Sequence, residues 1–224
     1  MRGVNHAWVT LIYVAAIALA LQNDGFINKA VAMILILSGF VGSLLPDIDA
    51  SDSLILHGEI KGIGLFFRKA LYPIVAFIAE RLFNIPKIHR GITHSLLGIL
   101  IVDLLLSPIL YASAYLYFIE GKIDLVGFIT IPLWIIIGLS IGSIFHLMED
   151  SFTKSGVYWL LSSRRLLRGN IRTFTKKEDA LAITLGIAGL IPLLIALEIG
   201  KAFLVVLYTI VAFISAYIYA RCTR

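Results

Sequence analysis

Charge is what this 224-residue chain lacks most: 15% of its residues are Asp, Glu, Lys or Arg, against about 25% in an ordinary soluble domain. With 59% hydrophobic residues and a mean hydropathy of +0.95, the composition excludes a water-soluble globule, a disordered chain and a nucleic-acid-binding domain. Cysteine occurs once, as Cys222, which excludes an intrachain disulfide and a cysteine-built zinc site. Internal repeats and low-complexity tracts are also missing. The net charge of +5 therefore needs a topological explanation.

What the chain does have is long uncharged runs. A helix needs about 20 apolar residues to cross the hydrocarbon layer. Ala30–Pro46, Ile92–Phe118 (interrupted by Asp103), Val126–Phe145, Ala180–Leu197 and Ala202–Ala220 come near that length. Ala7–Leu21 is a sixth span rather than a signal peptide, because no basic stretch precedes it and no small-x-small site follows it. Ala70–Ala79 is uncharged for too short a distance to cross, between Arg68/Lys69 and Glu80/Arg81, and reads as an interfacial or re-entrant helix. The expected fold is an all-α integral membrane protein, a single polytopic domain of about six transmembrane helices plus that one extra helix.

Six spans put both termini on one side. That side carries Arg2, six basic residues in 47–91, seven in 146–179, and Arg221 and Arg224, sixteen in all; the other side carries Lys29, Lys122 and Lys201. The positive-inside rule makes the rich side cytoplasmic. The expected location is the plasma (inner) membrane, multi-pass, with both termini in the cytoplasm.

Polar chemistry gathers at the span ends of that same side. His6 opens the first span; Asp47 and Asp49 close the second in Leu44-Leu45-Pro46-Asp47-Ile48-Asp49; His89 and His94 open the third in His89-Arg90-Gly91-Ile92-Thr93-His94-Ser95; His146 and Asp150 close the fourth. His146 and Asp150 are four apart and share a helix face. Asp47 and Asp49, if extended after Pro46, present both carboxylates to one side. Thr93 can cap the helix that follows. Each fragment alone has an ordinary reading as a cap or a solvated turn, but seven imidazoles and carboxylates converging from four span ends point to a divalent metal ion. Mixed His/Asp ligation suits zinc, with manganese or iron(II) as alternatives, and the number of donors favours two ions over one.

These motifs resemble the LexA-regulated, YdjM-like membrane-bound metal-dependent hydrolases of bacterial and archaeal inner membranes. The resemblance covers roughly residues 1–160 and leaves the last two spans (180–220) as scaffold. It implies metal-ligand roles for His6, Asp47, Asp49, His89, His94, His146 and Asp150. Beside those ligands, Asp150 and Asp49 are the acids expected to serve the reaction, and Arg90 is placed to neutralise a phosphate oxygen, its ordinary reading being a snorkelling positive-inside residue. Members often carry histidine after the Asp-Ile-Asp unit, where this chain has Ala50, so one ligand is absent or replaced by Asp52. The resemblance implies hydrolysis as the reaction class; the charge distribution sets it at the cytoplasmic membrane face, and the basic loops beside the donors make a phosphoester or lipid-linked substrate the expected one, with membrane lipids as partners.

Two other readings stand beside it. A metal or ion transporter needs polar residues through the depth of the bilayer, and only Asp103 is deep, roughly 13 Å past His94 along a helix and more simply paired within the bundle. A non-catalytic membrane protein of the DNA-damage response would use the motif residues only to tie span ends together. A zincin protease is excluded, since His57-Gly58-Glu59 is not His-Glu-x-x-His.

Overall fold

A computed structural model describes residues 1–50, 53–57, 61–83, 91–157, 159 and 167–223. The chain is all-α. Its helices are α1 (Gly3–Asn23), α2 (Lys29–Gly42), α3 (Leu54–His57), α4 (Lys61–Phe66), α5 (Tyr72–Phe83), α6 (Leu96–Ile119), α7 (Leu125–Asp150), α8 (Lys176–Glu198) and α9 (Ala202–Cys222). The only strand-like pairings among the described residues are two isolated bridges, Thr153 with Ile171 and Val157 with Leu167.

Helix starts are set where a small polar residue precedes an apolar run. Asn28 accepts from the Val31 amide at 2.9 Å and Asp124 from Gly127 at 2.7 Å, each satisfying a donor the helix cannot satisfy itself. At α6 the cap is Ser95, which accepts from Gly98 at 3.0 Å, not Thr93; Thr93 lies inside a 3₁₀ turn, Ile92–His94. That two-residue difference frees the Thr93 hydroxyl for the neighbouring histidine.

The helix over 61–83 departs from the expectation. α4 and α5 are joined through a π-helical turn, Phe67–Leu71, and the helix runs straight through Arg68, Lys69, Glu80 and Arg81. Charged side chains leave the backbone ladder intact, so uncharged length underestimates helix length. By length and composition Lys61–Leu82 could cross a membrane, giving seven such helices rather than six among the described residues. Its packing nonetheless agrees with an interfacial or re-entrant placement. Phe67, Leu71, Val75 and Ala79 share a core with Leu45, Ile48 and Ile92, and Asp47 before it lies 3.2 Å from His94 after it. The chain thus departs from and returns to one end of the bundle.

α1 and α7 organise that bundle. α1 packs on α2 and α8, α7 on α2 and α6, and α9 on α8. α2 and α7 approach backbone to backbone through glycine: a Cβ on Gly142 would strike the Gly39 carbonyl, and one on Gly42 the Leu139 carbonyl. Small residues at such a crossing are how membrane helices gain packing without a hydrophobic driving force. Ser143 then donates to the Gly42 carbonyl at 3.0 Å. α7, at 26 residues, is about 39 Å long at 1.5 Å per residue, longer than the ~30 Å hydrocarbon layer. It is therefore long enough to cross that layer with turns to spare, and its last turn carries His146 and Asp150.

Candidate metal centre

Five of the expected residues meet at this end: His6 from α1, Asp47 from the 3₁₀ turn Leu45–Asp49 that follows α2, His94 from the turn before α6, and His146 and Asp150 from the end of α7. Two sets of donor atoms lie within 4.8 Å of one another, His6/Asp47/His146 and His94/His146/Asp150, and His146 belongs to both. His94 Nε2 is 3.2 Å from Asp47 Oδ1 and 3.7 Å from Asp150 Oδ2; His146 Nε2 is 3.7 and 3.8 Å from the same two atoms. His6 Nε2 is 3.4 Å from Asp150 Oδ1. The His6 and His146 rings stack with centroids 3.7 Å apart. All three imidazoles and Asp150 are fully buried, while Asp47 is 15% exposed and forms the lip of the site.

Each imidazole is held from behind by its Nδ1. His6 Nδ1 lies 2.8 Å from Glu149 Oε2, and His146 Nδ1 lies 2.7 Å from the Ser43 carbonyl. A carboxylate and a carbonyl can only accept, so both Nδ1 atoms donate. His94 Nδ1 is 3.2 Å from Thr93 Oγ1, whose hydroxyl donates to Asp49 Oδ2 at 3.3 Å; the same polarity follows. With neutral rings, the Nε2 lone pairs of His94 and His146 face inward toward Asp47 and Asp150, whereas His6 Nε2 lies 3.1 Å from the Met1 carbonyl and 3.4 Å from Asp150 Oδ1. His146 Nε2, fully buried, has no hydrogen-bond partner among the described residues, a costly state for a buried polar atom. Converging lone pairs and carboxylate oxygens repel unless a cation lies among them, and the Met1 amino group, which pairs with Asp150, reaches one of these oxygens. Nδ1 to carboxylate or carbonyl with Nε2 inward is how metal-ligating histidines are oriented. The donor set, nitrogen and oxygen without sulfur, suits zinc, manganese or iron(II).

Asp47 and Asp49 do not act as an extended pair. Pro46 starts a 3₁₀ turn over Leu45–Asp49, and three residues per turn sets residues two apart on diverging directions. Asp47 enters one donor set, and Asp49 accepts from Thr93 Oγ1, which in turn contacts His94 Nδ1. His89 and Arg90 lie outside the described residues. Asp103 belongs to neither donor set and accepts from Ser140 Oγ at 2.5 Å, which ties α6 to α7 as expected of a paired deep acid. His57 is exposed and reaches only the Ser53 carbonyl through Nδ1, at 3.1 Å.

Glu149 is the residue that sequence reasoning missed. It is fully buried, bonded to His6 and, through Oε1, to Thr10 Oγ1 at 3.2 Å. In sequence it looks like one more acid at a span end. The only available signal was its register: three residues after His146 on α7, turned toward α1 rather than toward Asp150's face.

No curated protein and no solved structure matches the chain. The family model for YdjM inner membrane proteins matches residues 1–222, so the match runs past the motif-bearing first 160 residues and takes in α8 and α9, which the motifs alone had left as unmatched scaffold. The chain belongs to the YdjM inner membrane protein family.

Proposed function

We propose that this inner membrane protein is a metal-dependent hydrolase whose site lies at the cytoplasmic face and whose substrate is a phosphoester, lipid-linked or otherwise. The observation that carries the reading is the convergence of the histidines on two carboxylates: every Nδ1 is tethered outward, and the Nε2 atoms of His94 and His146 are aimed at the same two oxygens, of Asp47 and Asp150, with His6 completing one donor set. His6, Asp47, His94, His146 and Asp150 would hold one or two divalent ions, with His146 between them. Such an ion, when bound, activates water near neutral pH and polarises a phosphoryl oxygen. The chain's own part is to fix the donors through Glu149, Thr93–Asp49 and the Ser43 carbonyl, and to admit substrate past the partly exposed Asp47 and Asp49.

Metal-dependent hydrolysis of phospholipids, isoprenoid phosphates and aryl phosphates in detergent tests the activity. Phosphate or head-group release that is lost in Asp150→Asn and reduced in Arg90→Gln supports the phosphoester. Hydrolysis of carboxylic esters alone, lost in Asp150→Asn, keeps the hydrolase and discards the phosphoester; no turnover of any ester contradicts the reading.

The sixteen-to-three distribution of Lys and Arg supports a cytoplasmic placement of both termini and of the site. Reporter fusions after Arg224 and within Glu120–Asp124 are expected to report cytoplasm and periplasm respectively. The reverse pattern would move the site to the outer face.

A further inference from the structure

A second feature of the same end lies outside the metal centre. Lys154, Asn170, Arg172, Thr175, Lys176 and Lys177 line a groove of about 440 Å³. Four of the six are cations and none is an acid. The two acids of the neighbouring helical turn face elsewhere. Glu178 is fully buried and accepts from the Arg2 amide at 2.5 Å, the Asn5 side chain at 3.3 Å and the Phe174 amide at 2.5 Å, and Asp179 pairs with the Arg2 side chain. Turning both carboxylates toward the start of α1 concentrates positive potential on the groove side. The end of α8 adds nothing of its own, since Thr175 caps it at the Glu178 amide.

Beside the groove stands Phe174, 77% exposed and at φ 60°. A left-handed conformation is strained for a bulky aromatic residue and persists only where surroundings impose it; here Glu178 does so by holding its amide. The strained turn exposes an apolar ring just before α8 begins, and the groove residue Asn170 is tied to the end of α9, its amide nitrogen donating to the Ala220 carbonyl at 2.8 Å and its side chain to the Arg221 carbonyl. Cations in a concavity with an apolar ring at its rim match a phosphate head group whose acyl chains lie in the bilayer.

We infer that this groove is a binding site for the head group of an anionic phospholipid. It is distinct from the metal centre, although Lys154 is only four residues beyond Asp150 in the chain, and it stands whether or not the protein hydrolyses anything.

Native mass spectrometry of the full chain from mixed micelles of phosphatidylglycerol and phosphatidylcholine tests it. The wild type is expected to retain the anionic lipid over the zwitterionic one by at least roughly tenfold, since two basic residues at about a fivefold preference each near an anionic surface already exceed that. The quadruple variant Lys154→Gln, Arg172→Gln, Lys176→Gln, Lys177→Gln, all exposed side chains, is expected to fall to near parity. A control at the other end, Lys29→Gln, Lys122→Gln, Lys201→Gln, is expected to keep the preference. Equal retention of both lipids by wild type, preference surviving in the groove variant, or equal loss in the control would each overturn the site. Displacement of phosphatidylglycerol by millimolar inorganic phosphate, with phosphate alone raising the thermal midpoint as much as the lipid does, would assign the groove to a soluble phosphate instead and overturn the lipid.

Discussion

His146→Ala is expected to strip the purified protein of every bound divalent ion, whereas His94→Ala leaves one ion in place. The difference follows from geometry. His146 belongs to both donor sets, so its loss opens both; His94 belongs to one, and its removal spares His6, Asp47 and His146. Metal content measured against protein concentration should read two, one and none for wild type, His94→Ala and His146→Ala. Equal stoichiometry in the two variants would contradict a shared histidine. Glu149→Gln extends the series, because it keeps the volume and removes the charge that orients His6. Loss of such an outer partner typically weakens metal binding about 10- to 100-fold. It should lower affinity in a chelator titration while stoichiometry at excess metal is kept. Since an ion bound only to the folded state stabilises it by mass action, added chelator should lower the thermal midpoint of wild type and leave His146→Ala unmoved.

Gly142→Ala is expected to destabilise the bundle and the site together. A methyl group there meets the Gly39 carbonyl and the Ser43 amide, both backbone, so relief requires α2 and α7 to separate. Overpacking of this kind costs about 1–3 kcal/mol, at times more. The same crossing carries the Ser43 carbonyl that holds His146 Nδ1 at 2.7 Å, so helix separation also releases the shared histidine. Thermal unfolding in mild detergent should show a lowered midpoint, and metal affinity should fall with it. Gly62→Ala is the control: it lies in α4 with no atom within 4 Å of the added carbon, and alanine is favoured over glycine in a helix. A Gly142→Ala protein as stable and as metal-loaded as Gly62→Ala would show that the backbone approach is not what sets the site.

Much of this was legible in the chain itself. Spans are a composition signal, so the apolar runs locate six of the long helices to within a turn or so. His146 and Asp150 were legible because helical period is local: four residues apart on a helix share a face. Charge asymmetry and donor clustering agreed on one end without reference to each other. What was hidden depends on partners far apart in sequence. Glu149 looks solvated until α1 brings His6 to it across 143 residues, and Ser43 contributes only its carbonyl, which has no signature in residue type. The geometry of Asp47 and Asp49 was hidden because the turn after Pro46 is 3₁₀ rather than extended, which sends the two carboxylates in different directions, Asp47 toward His94 and Asp49 toward Thr93. The helix over 61–83 was undercounted because charge marks what a helix faces, not where it stops.

X-ray absorption at the metal edge of the purified wild-type protein tests the central claim most directly. The account predicts a first shell of nitrogen and oxygen at about 2.0–2.2 Å for zinc, with the outer-shell scattering of at least two imidazoles per ion and no sulfur. A metal-free protein, or a shell containing the sulfur of Cys222, which lies exposed at the end of α9, would contradict it.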